Sequence, residues 1–281
     1  MPPVTYVGMS ATSQARSTAS RAANSKPLEY LARAGFVAYG VIHLLLAWLV
    51  LQVAFGSSSS EGDQSGALRT LAQQPAGGFL LVLIAIGMIA LALWQAFEAV
   101  VGESGPRGKA AAAERFISVC RTVMYGYFAY LAIKVLSGSS TSQASKSEQT
   151  TSTIMDNTGG RWLIGVVGLV VAGVGIGLVV YGLKKKFEEH LNIGQMSASV
   201  RRTVRRLGMT GYSAKGVAYG IAGVLVVSAA VTYDPDKARG LDAALKTLAG
   251  NDWGPWLLAL IALGFLAHGV YCFFQVRYRK V

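Results

Sequence analysis

Six long apolar stretches constrain this chain more than any other feature of its sequence. A helix that crosses the hydrocarbon core of a bilayer needs about 20 mainly apolar residues. Strands that span membranes are shorter and alternate in polarity. The stretches therefore predict six transmembrane helices in an all-α membrane protein. They cover, approximately, residues 35–55, 77–101, 116–136, 162–183, 211–231 and 254–275.

The charge content agrees with a membrane location. Charged residues make up 14% of the chain, whereas soluble domains carry about 25%. A net charge of +12 would suit nucleic-acid binding, but the basic residues lie between apolar stretches and form no stripe with interleaved aromatics. We therefore assign them to membrane orientation and expect no nucleic-acid partner.

The basic residues fall mainly on one side of the predicted membrane. The two terminal tails and the second and fourth connections carry seventeen Lys and Arg residues, against seven on the opposite side. Cytoplasmic flanks are enriched in Lys and Arg, so both termini are predicted to be cytoplasmic. The basic tail, residues 1–29, has no apolar core and is expected to be disordered.

The chain contains an internal repeat. Residues 35–41 (Gly-Phe-Val-Ala-Tyr-Gly-Val) match residues 211–217 (Gly-Tyr-Ser-Ala-Lys-Gly-Val) at an offset of 176. Residues 67–72 match residues 244–249 at an offset of 177, and the register then continues without a gap. The short apolar segments that include Arg69 and Lys246 are predicted to be interfacial helices.

A third, more divergent copy lies between these two. Residues 121–126 align with 215–220, and residues 162–164 with 79–81. Its Ser/Thr-rich loop, residues 137–153, is expected to have lost the short helix.

Each copy holds two spans, so the three hairpins enter the membrane in the same direction and should form a pseudo-three-fold bundle. The predicted units are the tail 1–29, hairpin repeats 30–103, 114–191 and 208–281, and a basic cytoplasmic linker 192–207.

The repeated pattern Gly-aromatic-x-Ala-basic-Gly-x-x-Tyr-Gly, followed by Ala-Leu-basic-Thr-Leu, resembles the domain of unknown function 1206 family. The resemblance covers about residues 30 to 280. It implies a three-hairpin protein of the bacterial plasma membrane, found in actinobacteria and other bacteria, with no settled activity. Accessory membrane subunits of similar size occur in actinobacterial respiratory supercomplexes that join a cytochrome bc complex to an aa3-type oxidase, which suggests one setting.

Basic residues within or beside the spans are the predicted contacts for anionic lipid or a partner. Arg121 and Lys215 occupy equivalent repeat positions near the cytoplasmic ends of their spans, where long side chains can reach the headgroups. The fourth connection adds a basic cluster. Its members are Lys184, Lys185, Lys186, Arg201, Arg202, Arg205 and Arg206.

Two histidines lie within spans at similar predicted depth. His43 and His268 could in principle ligate a b-type haem. However, His43 aligns with Tyr125 and Tyr219, which favours a hydrogen-bonded packing role at one polar position per repeat. No cofactor is therefore expected.

Other signals of chemistry are weak. Cys120 and Cys272 have no metal-ligand spacing, and no nucleotide or protease motif is present. We expect no metal site and no enzyme activity. The spacings Gly173-x-x-x-Gly177 and Gly216-x-x-x-Gly220 predict close helix packing.

Two functions remain open. We favour a non-catalytic accessory subunit of a larger membrane assembly, because the bundle is expected to have almost no polar interior. Its partners would be other integral membrane subunits, such as respiratory cytochromes, together with anionic lipids. The alternative is a small-solute transporter or channel.

Overall fold

The computed structural model describes residues 26–56, 61–101, 109–138 and 142–280. In these ranges the chain forms nine α-helices and short 3-10 segments. Six of the helices are long and apolar enough to cross a membrane, which confirms the all-α fold with six candidate spans. Residues 1–25 of the predicted tail lie outside the described ranges, and residues 26–29 are helical.

The helices are numbered in chain order. The candidate spans are α1 (Lys26–Ala54), α3 (Gly77–Val101), α4 (Lys109–Leu136), α6 (Thr158–Leu183), α7 (Ala198–Thr232) and α9 (Gly254–Tyr278). One shorter helix joins the spans of each repeat: α2 (Gln64–Ala72), α5 (Gln143–Met155) and α8 (Leu241–Ala249). These short helices mark the loop side of the bundle, and Lys26 and Tyr278 mark its terminal side.

The predicted short helices of the first and third repeats are confirmed as α2 and α8. The expectation that the middle repeat lacks one is wrong, because α5 occupies the equivalent place. The Ser142 side chain caps α5 by accepting the Ser145 N–H, and this satisfies one of the free donors at the helix start. Ala144 and Met155 are buried on one face, so a Ser/Thr-rich segment is ordered by its few packed residues.

The spans follow one another around the bundle in the order α6, α7, α9, α1, α3, α4. In three of these neighbouring pairs, the second span of one repeat packs on the first span of another: α3 on α4, α6 on α7, and α9 on α1. These seams repeat around the bundle, as expected for parallel repeats related by a pseudo-three-fold axis.

Paired glycines close the hairpins of repeats 1 and 3. A Cβ added to Gly35 on α1 would lie 2.5 Å from the Gly87 carbonyl oxygen on α3. The equivalent pair in repeat 3 is Gly211 on α7 and Gly264 on α9. A Cβ on Gly211 would lie 2.8 Å from the His268 Cα. The two spans of each hairpin approach this closely because neither glycine carries a side chain.

The hairpin of repeat 2 is open. Alignment puts Ile117 and Val170 at the positions of the closing glycines, and these side chains are 39% and 60% exposed. Contact between α4 and α6 is at most marginal, and each helix packs on a neighbouring repeat instead. Two bulky side chains where the other repeats have glycine explain why this hairpin does not close.

The α6–α7 seam is also built from glycines, although not all of those predicted. Gly216 and Gly220 on α7 meet Gly175 on α6, where an added Cβ would lie 2.5 Å from the Gly220 nitrogen. Gly173 and Gly177 have no atom within 4 Å of an added Cβ and point away from the seam. The predicted close packing is thus correct for Gly216 and Gly220 on α7. On α6 the packed glycine is Gly175, which lies on the face opposite Gly173 and Gly177.

The predicted linker 192–207 is folded. Ile193–Gln195 forms a 3-10 turn, and α7 begins at Ala198 with the Ser197 side chain accepting the Val200 N–H. The preceding residues bind the C-terminal tail through a β-bridge between Leu191 and Arg279. The connection between repeats 2 and 3 therefore covers the terminal side of the bundle.

Candidate functional site

The bundle interior contains a group of four polar side chains, which we call the axial cluster: Tyr39, His43, Lys215 and His268. Lys215 on α7 is 6% exposed. Its Nζ donates to the Tyr39 hydroxyl at 2.9 Å and lies 3.3 Å from His268 Nε2. The prediction that Lys215 reaches the headgroups is therefore wrong, because its position on α7 faces the interior and its amine has partners there.

The hydrogen-bond network assigns the His268 tautomer. If Nε2 accepts from Lys215, the ring hydrogen lies on Nδ1. That atom is buried and has no partner among the described residues. The axial cluster thus holds an amine and a buried imidazole with an unused donor, a costly arrangement in an apolar interior.

The two predicted histidines do meet. His43 Nδ1 lies 2.9 Å from the Tyr39 carbonyl oxygen in its own helix, and the rings of His43 and His268 have centroids 4.6 Å apart. Bis-histidine haem needs the iron and a porphyrin plane between the rings, and rings in direct contact leave no room for either. His268 Nε2 is also used by Lys215. These residues do not fit a haem.

The axial cluster follows the repeat. Tyr39, Arg121 and Lys215 occupy one equivalent position, and His43, Tyr125 and Tyr219 occupy the position one turn later. Members from different repeats meet on the axis. The rings of Tyr39 and Tyr125 have centroids 5.3 Å apart, and Lys215 Nζ lies 5.1 Å from the Tyr39 ring. The expectation of an almost apolar interior is therefore wrong: each repeat contributes one polar face to the axis.

Two further arginines, Arg121 and Arg279, lie towards the terminal side. Arg279 is 6% exposed, and its guanidinium carbon lies 5.4 Å from the Phe36 ring and 5.2 Å from the Trp94 ring. Arg121 on α4 is half-buried. It lies within electrostatic range of Tyr181 on α6 and of Glu98 on α3.

His190 lies in the segment that covers the terminal side, within electrostatic range of both arginines. Burial is the main cause that lowers the pKa of His190 to about 3, and the positive charges of Arg279 and Arg121 lower it further. The His190 ring nitrogen Nδ1 lies 3.3 Å from the Tyr181 hydroxyl.

The remaining predicted basic residues lie at the terminal side. Arg205 forms a two-bonded ion pair with Glu188 at 2.6 and 3.0 Å, and this hydrogen bonding lowers the pKa of Glu188. The others are exposed or half-buried, and their contact with lipid or a partner remains a prediction. They are Lys184, Lys185, Lys186, Arg201, Arg202 and Arg206.

Sequence reasoning missed Arg279, Tyr181, Tyr212 and His190. Arg279 counted only as one more charge of a terminal tail, and nothing in its neighbours indicates that the tail folds back onto the bundle. Tyr212 carried a usable signal, because it aligns with Phe36 in repeat 1, and an aromatic residue at the same position of both copies favours a packed side chain. Phe36 is indeed 2% exposed.

Comparisons with known proteins identify the repeats. The sequence profile described as Domain of Unknown Function (DUF1206) matches residues 34–102, 117–185 and 210–279, one match per repeat. The chain is also similar to "Uncharacterized protein YxxB" of Bacillus subtilis (strain 168). The two are 28% identical over 260 residues, which cover 92% of this chain and 94% of that protein. No solved structure matches.

Proposed function

Since the chain belongs to the DUF1206 family, whose function is unknown, we propose a role from its own geometry: it is a non-catalytic accessory subunit that docks onto other integral membrane proteins through α6. The observation that carries this proposal is the exposure of α6, which packs on α7 through one face and leaves most of its remaining surface uncovered. Only 17% of its most apolar 18-residue window is buried, against 33% to 61% in the other spans.

The outward face of α6 suits a protein neighbour. Gly173 and Gly177 lie on it with open space around them. Association of helices within a bilayer depends on close packing rather than on apolarity, so small residues favour a helix–helix contact over a lipid contact. The α6–α7 seam already uses the other glycine face, which leaves this one for a second helix.

The setting we propose is the bacterial plasma membrane with both termini in the cytoplasm. The excess of Lys and Arg on the terminal side supports this orientation, and the bacterial source of the similar protein supports a bacterial membrane. A respiratory assembly that contains cytochromes is the specific partner we propose, and anionic lipids are proposed at the basic terminal side.

Docking is tested by capturing the tagged full chain from its native membranes in mild detergent. The wild type should retain a stoichiometric set of integral membrane proteins with a haem absorption band, and the double variant Gly173→Leu/Gly177→Leu should lose them. Gly78→Leu is the matched control, because Gly78 on α3 also has open space around it. A lone, monodisperse wild-type chain without haem would contradict the proposal.

The proposed orientation predicts the labelling of the native thiols. Cys120 is exposed and Cys272 is buried. In intact cells, a membrane-impermeant maleimide should label neither. A permeant maleimide should label Cys120 and leave Cys272, 1% exposed, unmodified. Labelling of Cys120 by the impermeant reagent would show that the chain has the opposite orientation in the membrane.

A small-solute transporter or channel is the second candidate, and the axial cluster is the observation that favours it. Ionisable side chains inside a membrane bundle often mark a solute or proton route. Against it, the spans are continuous helices, whereas transporter sites are usually built where helices are broken. If the route exists, replacing His43, His268 and Glu98 should abolish solute flux into proteoliposomes. Unchanged flux in these variants would remove this candidate.

A further inference from the structure

A cleft of about 680 Å³ opens on the terminal side of the bundle, beyond the last turn of α6. It lies between the segment that follows α6 and the C-terminal tail. The residues that line it are Lys184, Lys185, Glu188, Glu189, Leu191, Asn192, Ile193, Gly194 and Lys280. These residues all lie outside the candidate spans, so the cleft belongs to the surface that faces the cytoplasm in the proposed orientation.

Hydrogen bonds hold the two walls of the cleft together. The Asn192 N–H donates to the Tyr278 carbonyl oxygen at 2.7 Å, and the Lys280 N–H donates to the His190 carbonyl oxygen at 3.0 Å. The Lys280 ammonium group also donates to the Glu189 carbonyl oxygen at 2.8 Å, across 91 positions of sequence. The cleft is therefore an ordered part of the fold, with walls from two distant segments.

The cleft has an excess of positive charge. Its three lysines come from both walls, and in the described part of the chain no ion pair engages their ammonium groups. Of its two carboxylates, that of Glu188 is already paired with Arg205. The three lysines thus face one remaining carboxylate, that of Glu189, which is exposed to solvent. An anion that enters the cleft would balance the remaining positive charge.

The backbone of Lys185 indicates that its side chain has a use. Lys185 has a φ of 57°, in the left-handed region that residues with a Cβ rarely adopt. Glycine adopts this region without strain. Repeat 1 has glycine at the equivalent position, Gly102, where the family match ends as it does at Lys185. Strained backbone of this kind is concentrated at sites that hold a ligand, and Lys185 lines the cleft.

We propose that the ammonium groups of Lys184, Lys185 and Lys280 bind a phosphomonoester in this cleft. Each ammonium group has three donors and acts as a point charge, which suits phosphate oxygens approached from several directions. A phosphomonoester carries about 1.5 to 2 negative charges at neutral pH, and these balance the excess charge of the lysines.

Two sources share this chemistry, a membrane lipid such as phosphatidic acid and a soluble ester such as glycerol 3-phosphate. The cleft lies just beyond the ends of α6 and α9, where both kinds of ligand are accessible. This site deepens the anionic contact proposed for the terminal side and rests on that part of the proposed function. It does not depend on the docking of α6.

The test measures ligand binding by the purified, delipidated full chain in detergent, using native mass spectrometry. The protein is titrated separately with dioleoylphosphatidic acid, glycerol 3-phosphate and dioleoylphosphatidylcholine. The wild type should bind one phosphomonoester and discriminate against phosphatidylcholine, whose phosphate is a diester. Binding of glycerol 3-phosphate would identify a soluble ester as sufficient, and binding of phosphatidic acid alone would identify a lipid as the ligand.

Lys185→Gly separates ligand binding from folding. It should weaken binding about tenfold, as expected for the loss of one charge-assisted hydrogen bond. Its thermal unfolding midpoint should equal or exceed that of the wild type, because glycine relieves the left-handed strain. Lys184→Gln should weaken binding similarly and leaves that backbone unchanged, so it decides the outcome if Lys185→Gly is unstable. Lys186→Gln is the matched control and should bind like the wild type, because Lys186 is exposed and lies outside the lining of the cleft.

Equal binding by the wild type, Lys185→Gly and Lys184→Gln would overturn the cleft as the site. A preference for phosphatidic acid that persists in these variants would still support an anionic contact elsewhere on the terminal side. An equal loss in Lys186→Gln and Lys185→Gly would indicate a diffuse attraction to basic residues and would also overturn the site. A wild type that binds neither phosphomonoester would overturn both the site and the anionic contact.

Discussion

Replacing Gly175 with valine should disrupt the seam between α6 and α7 and lower the thermal unfolding midpoint by roughly 10 °C. An added Cβ would lie 2.5 Å from the Gly220 nitrogen and 2.6 Å from the Gly216 carbonyl oxygen. Both atoms belong to backbone, so neither can rotate away. Overpacking of this kind costs about 3 kcal/mol, and a chain of this size loses about 2–4 °C per kcal/mol. Thermal unfolding in detergent, followed by size-exclusion chromatography, measures the effect.

Gly173→Val is the matched control for this prediction. Gly173 lies two residues away on the same helix, and an added Cβ meets no atom within 4 Å. Its unfolding midpoint should stay close to that of the wild type. Sequence spacing alone predicts that Gly173 and Gly177 are the packed residues. The two variants therefore also show whether Gly173, as the spacing predicts, or Gly175, as the structure shows, faces α7. Equal destabilisation by both would contradict the packing described for α6.

Replacing Asp242 with alanine should destabilise the loop side by about 2 kcal/mol. Asp242 is 0% exposed. Its carboxylate accepts hydrogen bonds from the Gly62 N–H at 2.9 Å and from Lys246 Nζ at 3.0 Å, and it faces Arg239 at 3.7 Å. The variant leaves a buried N–H without its acceptor, which costs about 1–3 kcal/mol. The two basic side chains are partly exposed and can return to water, so they add little.

The region that loses stability distinguishes the expected effect of Asp242→Ala from a general destabilisation of the protein. Asp242 joins repeat 3 to the start of α2, so hydrogen exchange should rise at Gly62 and through α2 and α8 before it rises in the spans. Asp234→Ala is the control, because the Asp234–Lys237 ion pair is solvent-exposed and worth little. Unchanged exchange in α2 upon Asp242→Ala would show that the carboxylate does not join the repeats.

The spans and the repeat could be predicted from the sequence because they depend on local patterns. Stretch length sets a span, and the shared register of residues 35–41 and 211–217 reveals the repeat before any contact is known. The same alignment held the reason for the open hairpin. Ile117 and Val170 stand where Gly35 and Gly87 stand in repeat 1, but the importance of those glycines is visible only in the backbone contacts that they allow.

The polar interior was harder to predict because it depends on which side of each helix faces the axis of the bundle. Lys215 near a helix end suits a side chain that reaches the headgroups, and only its packed environment shows that it bonds Tyr39 and His268 instead. Arg279 is a stronger case. Its burial requires the C-terminal tail to fold against Leu191, a contact between residues 88 positions apart. Local sequence carries no trace of such a contact.

Disulfide cross-linking directly tests whether the hairpin of repeat 2 is open. The pair Ile117→Cys/Val170→Cys in a Cys120→Ser background should not cross-link when purified protein is oxidised. Gly40→Cys in the same background is the positive control, because a Cβ at position 40 lies 3.3 Å from the Cys272 Cβ, close to the range of disulfides. A cross-link is expected in the control alone. A disulfide between positions 117 and 170 that forms as readily as the control would show that the hairpin of repeat 2 is closed, which contradicts the open hairpin described above.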